Sequence, residues 1–345
     1  MKHFDKPFLD SMRLVADPLA DEVLKDYSGD FGLLHNQLRA LTDNQSLCHS
    51  EMRPALATLW DHLKKERNHL QHKVIDSGAE FFDKQASDIM LLLGLLSLPY
   101  CYAAAKGAEV LVRSKYILDN PEKRLLETAE FVFDVMRKDA FADRGSGLIS
   151  ILKVRLMHAM IRYQIERSTN WKEEIFGKPI NQEDMAGTNL SFSLIVVRGL
   201  RELGKEISIK EAESYINYWN GIGNLLGLDK RLQPTSTKEA YVLERNIRKR
   251  HFESSDAGQM LFGSLRDYFI KTTQDTPIEG LTDAFMEKLL GEQVSNILGH
   301  QVSNLNRLTL LPYTSFLKVK NALGSQPDSY MTAFSQFKQQ QRALT

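Results

Sequence analysis

The segment LKVRLMHAMIRYQIER, Leu152–Arg167, decides the kind of fold this sequence builds. Arg155, His158 and Arg162 are spaced by three and seven residues from the first. At ~100° per residue they share one face of a helix within ~60°. The residues between them, Leu156, Met157, Ala159, Met160 and Ile161, are apolar. A helix that is apolar on most of its circumference belongs inside a protein, so this segment predicts a central helix over 146–168 with a polar stripe.

Outward from that helix, ten prolines divide the chain, and between them apolar residues recur at helical spacing. Helices are expected at 8–26, 52–76, 86–117, 121–137, 146–168, 182–203, 208–226, 236–251, 256–273, 282–299 and 328–342. Asn120-Pro121-Glu122 reads as a cap followed by a proline at the first helical position, and Ser208 with Glu211 reads as a capping box. Val, Ile and Thr with period-two alternation are nearly absent, so no sheet is expected. The fold class is all-α. With no Ser/Gly/Pro-rich linker, residues 1–345 read as a single large helical domain.

Lys plus Arg number 44 and Asp plus Glu number 44. A chain of zero net charge has no bulk field for nucleic acid or anionic lipid, which argues against a nucleic-acid partner. Two cysteines, Cys48 and Cys101, make neither a disulfide scaffold nor a zinc spacing and are expected to be small buried thiols. The first residues mix charges and prolines without an apolar run, which implies a cytoplasmic address. The apolar run of 17 residues, Ile89–Ala105, contains Pro99 and is closed by Asp88 and Lys106. That reads as a buried helix rather than a membrane span.

The polar stripe of the central helix has two readings. A neutral imidazole supplies an axial bond to haem iron, and guanidinium forks pair with propionates; this makes His158 a metal ligand and Arg155 and Arg162 cofactor-binding residues. The other reading is a core histidine with two arginines reaching acidic neighbours. Arg124, Glu127 and Thr128 also share a helix face. A carboxylate there could act as ligand, acid or base near a metal or bound oxygen species, or simply pair with Arg124. His62, Glu66, His69 and His72 contain Glu66-x-x-His69, half of a di-iron pattern with no second copy, and their lysine-rich surroundings favour a solvated face. His35, His49, His251 and His300 have no ligand-like spacing and receive no role. Nucleotide-binding, esterase-elbow and zinc-protease motifs are missing. Gly221, Gly223 and Gly227 do not follow a strand and read as close helix packing and a C-cap.

As an ordered set these segments resemble the oxygenase-like family named after the fungal mpaB enzyme and the bacterial latex clearing protein, a rubber oxygenase. The resemblance runs over about 80–260. It is carried by Arg124-x-x-x-Thr128, Gly145 to Gly147, Arg155-x-x-His158-Ala159-x-x-Arg162, Pro179-Ile-Asn-Gln-Glu-Asp184, Gly199-Leu-Arg-Glu-Leu-Gly204, and Tyr218-Trp219 to Leu228. It implies a globin-like helical core around haem b. It also implies His158 as proximal iron ligand, Arg155 and Arg162 as haem-holding residues, and Arg124, Glu127 and Thr128 on the distal face. Where the rubber oxygenase has a distal lysine, this chain has Glu127. Glu109 lies near the place of an upstream glutamate, the candidate base. Residues 89–105 with Phe131, Phe133, Met157 and Met160 would then line a dry pocket or be ordinary core. The expectation is a haem-dependent oxidoreductase, an oxygenase using dioxygen on a hydrophobic small molecule. Its rivals are a non-catalytic haem carrier or sensor and a cofactor-free helical interaction protein.

Overall fold

The computed structural model describes residues 2, 4–46, 52–114, 121–168, 170–274, 280–301 and 329–344. Its N-terminal helices start where an aspartate can cap them. Asp5 caps α1 (Lys6–Met12), Asp17 caps α2 (Pro18–Asp26) and Asp30 caps α3 (Phe31–Arg39). Each carboxylate accepts from a backbone N–H of the first turn, one of the groups a helix start leaves without a partner. The single helix expected over 8–26 is therefore two. Pro18 disfavours helical backbone at Asp17 and starts a new helix at its first position. Helix α3 was not expected at all.

Helix α4 (Pro54–Asn68) stops short of the expected 76, and α5 (His72–Leu92) begins after a turn at His69–Gln71. Leu70 in that turn packs at Gly221. The apolar run continues as a buried π-helical turn, Leu93–Ser97, and then α6 (Leu98–Tyr102). Pro99 lacks an N–H and crowds the carbonyl four residues back, and a widened turn accommodates that defect. The chain breaks at Ala103–Ala104 before α7 (Ala105–Arg113), so the helix expected over 86–117 is four pieces, with 115–117 outside the described residues. Among the described residues no helix is long and apolar enough to cross a membrane.

Helices α8 (Pro121–Met136) and α9 (Gly147–Glu166) follow the expected bounds closely, although the cap residue Asn120 lies outside the described residues. Next come the short α10 (Glu173–Phe176), α11 (Gln182–Phe192) and α12 (Leu194–Glu202). The helix expected over 182–203 is split at Ser193, whose hydroxyl donates to the Asn189 carbonyl at 2.7 Å. Helix α13 (Ile209–Leu225) carries the Ser208–Glu211 capping box in full. The remaining helices are α14 (Thr237–His251), α15 (Asp256–Thr273), α16 (Thr282–Leu290), α17 (Glu292–Ile297) and α18 (Ser329–Leu344). Gly291, at φ 79°, divides the helix expected over 282–299. Residue 328 of the last expected helix, with Cys48 and His49, lies outside the described residues.

The all-α class holds: the one β-type pairing among the described residues is the antiparallel bridge from Ala104 to Phe252. Helix α9 lies in the core, burying Leu148, Ile151, Leu152, Leu156 and Ala159 against α2, α4 and α8. Helix α5 packs along α13 and α18, with Phe82 and Phe133 meeting Tyr330 edge-on. A smaller cluster joins Phe4, Leu9 and Met12 to Met185, Leu243 and Ile247. At roughly 25 cal/mol per Å² of apolar surface, this burial is the main stabilising force.

Candidate functional site

A cavity of about 300 Å³ lies between α6, α7, α8, α9, α11 and the end of α14. Most of its wall is apolar: Leu98, Tyr102, Val110, Phe131, Met157, Ile161, Leu190 and Ile247 all contribute. The π-helical turn and Pro99 matter here, because they set the direction in which α6 presents Leu98 and Tyr100–Tyr102. Burial pushes the Tyr100 hydroxyl and the Cys101 thiol up, so both stay protonated.

His158 reaches this cavity from the middle of α9. Burial, reinforced by the charges of Arg162 and Arg124, pushes its pKa down to about 3. The ring is therefore neutral at physiological pH. Among the described residues nothing hydrogen-bonds to it, so a nitrogen lone pair is available. A neutral, unclaimed imidazole in a dry apolar wall is the donor that an axial haem ligand requires.

From α8, Arg124, Glu127 and Thr128 line the same cavity. Arg124 Nη1 donates to Glu127 Oε2 at 3.3 Å and lies 3.7 Å from Met157 Sδ, bridging α8 to the His158 helix. Thr128 donates its hydroxyl to the Arg124 carbonyl at 3.0 Å, one turn back. Glu127 is 39% exposed at its side chain, so the pair sits where the cavity meets solvent.

Arg155 and Arg162 do not line the cavity. Arg155 Nε and Nη2 donate to Asp17 Oδ2 and Oδ1 at 2.8 and 2.6 Å, and its Nη1 donates to the Leu225 carbonyl at 3.2 Å. Arg162 Nε donates to Asp21 Oδ1 at 2.7 Å. Both guanidiniums thus lock α9 to α2, as the reading with acidic neighbours expects, and the fork geometry expected for propionates is directed at carboxylates of the chain itself. Gly227 completes this arrangement: at φ 88° it caps α13, and a Cβ there would stand 3.0 Å from Arg155 Nη2. Leu228 N donates to the Gly223 carbonyl at 2.8 Å, closing the C-cap expected from the spaced glycines.

Glu109 is not brought to the site. The face of α7 on the cavity carries Gly107, Val110, Leu111 and Ser114, whereas Glu109 pairs with Arg113 at 3.2 Å on another face. Glu66 accepts from Asn224 at 2.6 Å and Lys230 at 3.1 Å instead of facing a metal.

Sequence reasoning missed a second polar group on the cavity wall. His251 closes α14 with its Nε2 2.9 Å from Glu183 Oε2, and Asp184 is held by Arg13 at 3.0 Å. The signal lay in Pro179–Asp184, where the Asn181 cap and two acids open α11. Ile180, at φ 53°, is a β-branched residue in the left-handed region. It is held there because Lys178 N and Gln182 N donate to the carbonyls of Arg13 and Val15, both at 2.9 Å.

The sequence and the architecture match a known group of proteins. Residues 85–319 match the family described as ER-bound oxygenase mpaB/B'/rubber oxygenase, catalytic domain. The chain belongs to that family. Among curated proteins, the rubber oxygenase of Streptomyces sp. (strain K30) is 24% identical over 234 residues, 67% of this chain and 57% of that protein. The chain thus matches little more than half the length of that relative. Among solved structures, latex clearing protein in its closed state is similar, with a TM-score of 0.77, 21% identity, and coverage of 96% of this chain and 90% of that one. Coverage of 96% of this chain carries the shared fold past residues 85–319, and the partners of Arg155 and Arg162, Asp17 and Asp21, stand before that match, at the cap and in the first turn of α2.

Proposed function

We propose that this protein is a haem-b-dependent oxidoreductase, an oxygenase acting with dioxygen on a hydrophobic small molecule. The observation that carries the reading is His158: neutral, without a hydrogen-bond partner among the described residues, and in the wall of an apolar cavity. Haem, when bound, supplies a redox-active iron that can activate dioxygen. His158 would be its protein ligand. Arg155 and Arg162 act as positioning residues, since their ion pairs with Asp17 and Asp21 fix the register of α9 on which the imidazole rides.

The remaining wall residues bind, orient and exclude water. Phe131, Met157 and Ile161 leave no hydrogen-bonding partner for a hydrocarbon, so a substrate is held by burial alone in that region. Arg124 holds one oxygen of Glu127, which leaves the carboxylate's remaining lone pairs to accept a proton or hydrogen bond at the cavity's edge. A carboxylate there in place of a lysine changes the sign of the local charge. We therefore place the substrate outside the strict rubber-cleaving class, among unsaturated apolar molecules.

The test is incubation of the purified, haem-supplemented protein with isoprenoid hydrocarbons and unsaturated lipids under ¹⁸O₂. Labelled oxygenated product that requires His158 supports the reading. Full haem loading with no oxygen-dependent product across the panel would place the protein with haem carriers or sensors. A second reading, a cofactor-free helical protein, draws on the carboxylate partners of Arg155 and Arg162 and predicts a colourless protein after supplementation.

A further inference from the structure

Among the described residues, all but one of the side-chain hydroxyls on the cavity wall already donate to the protein. Ser114 donates to the carbonyl of Leu111 at 2.7 Å, Thr128 to that of Arg124 at 3.0 Å, Thr188 to that of Asp184 at 3.1 Å and Ser191 to that of Gly187 at 2.9 Å. Tyr100 donates to the Glu244 carboxylate. The exception is Tyr102, the last residue of α6, whose hydroxyl has no hydrogen-bond partner among the described residues.

The hydroxyls of Ser97 and Ser295 also lack a partner, but they are sealed off from any open space. The Tyr102 hydroxyl is not sealed in that way. The residue is 3% exposed and lines the cavity, so the open space its oxygen meets is the cavity. The backbone from which the ring projects is held on three sides. The Ala103 carbonyl accepts from Glu253 N at 3.2 Å, Ala104 bridges to Phe252, and a Cβ on Gly258 would stand 2.4 Å from the Tyr102 carbonyl oxygen. A buried polar group without a partner is costly, and native proteins leave few of them.

The surroundings set the kind of partner. Burial pushes the Tyr102 pKa far up, so the group stays O–H. The charge of Arg124, on the same wall, acts on that hydroxyl. A cation beside an O–H turns the negative end of a ligand dipole toward it, which favours an acceptor oxygen. A ligand carboxylate there would meet the like charge of Glu127, held by Arg124 at 3.3 Å, so a neutral acceptor fits better.

We propose that the Tyr102 hydroxyl donates to a carbonyl oxygen of the molecule that occupies the cavity. The substrate class is then a hydrocarbon bearing a ketone, aldehyde or ester group rather than a pure hydrocarbon. The apolar remainder of the wall takes the hydrocarbon. The proposal rests on the functional reading only in taking this cavity as the substrate site.

The experiment measures binding of 2-octanone and octane to the full chain by equilibrium headspace partition, with and without haem supplementation, in the native protein and in Tyr102→Phe. The substitution removes one oxygen and keeps the ring. The expected result is octanone affinity lower by about tenfold in the variant, with octane affinity unchanged. Isotope-edited infrared spectra of carbonyl-¹³C octanone should place the bound carbonyl stretch lower in the native protein than in the variant. Without ligand, Tyr102→Phe should unfold at no lower temperature than the native protein, because no bond within the protein is lost. Octanone bound equally by both proteins, the same loss for octane, or no octanone binding at all overturns the proposal. A variant that is clearly less stable, or does not fold, also overturns it and assigns the hydroxyl to the fold. Affinity and carbonyl frequency are read without turnover, so failure of haem loading and failure of this proposal are separate results.

Discussion

Arg155 grips both carboxylate oxygens of Asp17, with Nε–Oδ2 at 2.8 Å and Nη2–Oδ1 at 2.6 Å, and both side chains are almost fully buried. Breaking a buried pair from one side leaves an uncompensated charge. Asp17→Leu and Arg155→Leu should each lower stability by about 3–5 kcal/mol, and the double variant should lose clearly less than the sum. A double-mutant cycle in denaturant checks this; additive losses would mean the two residues act independently.

Helix packing makes a second, sharper contrast. A Cβ on Gly78 would lie 2.4 Å from Tyr218 Cβ, so α5 and α13 must part for any side chain there. Gly78→Ala should cost about 1–3 kcal/mol despite the better helix propensity of alanine. Gly263, with nothing within 4 Å, should gain about 0.5–1 kcal/mol on the same change. Thermal unfolding of the two variants, run together, reads opposite signs.

Glu239 gives a prediction in pH. Backbone N–H groups of Thr235 and Lys2, at 3.0 and 2.9 Å, hold its pKa at about 2. A carboxylate depressed in the folded state binds fewer protons there than in the unfolded chain. Its stabilisation is complete above the unfolded value of about 4.5 and is lost as pH falls toward 2. The stability gap between the native protein and Glu239→Gln should therefore be widest near neutrality and close between those values. A gap that stays constant with pH would show that the carboxylate's charge is not what Thr235 and Lys2 bind.

At the cavity, Glu127→Gln removes a charge that is already half in solvent and paired at 3.3 Å. Its stability cost should be at most about 1 kcal/mol, with haem content unchanged. Any role in oxygen chemistry then appears in the turnover number and its pH profile rather than in loading. Loss of haem in this variant would move Glu127 from the reaction to the cofactor's attachment.

The helical class was legible because burial on nearly every side of Leu152–Arg167 writes an apolar helix directly into the sequence. His158, on another helix, was joined to Arg124, Glu127 and Thr128 only by the family resemblance, but those three were legible as one face because helical spacing fixes which residues share it. The destination of Arg155 and Arg162 was not, since the carboxylates that receive them stand 138 and 141 residues earlier in the chain. No local pattern reports such a partner. His251 and Glu183, 68 residues apart by their numbers, are joined only when α11 and the end of α14 meet at the cavity. The expected run over 86–117 failed at Pro99 and at Ala103–Ala104 because a widened turn and a corner leave apolar composition unchanged.

The most direct test of the account is haem titration of the purified chain beside His158→Ala, following the Soret band and extracted haem per polypeptide. The account predicts close to one haem per chain in the native protein and its loss in the variant, with the variant's fold retained by circular dichroism. A native protein that takes up no haem, or a variant that keeps it in full, would contradict the assignment of His158 as the iron ligand.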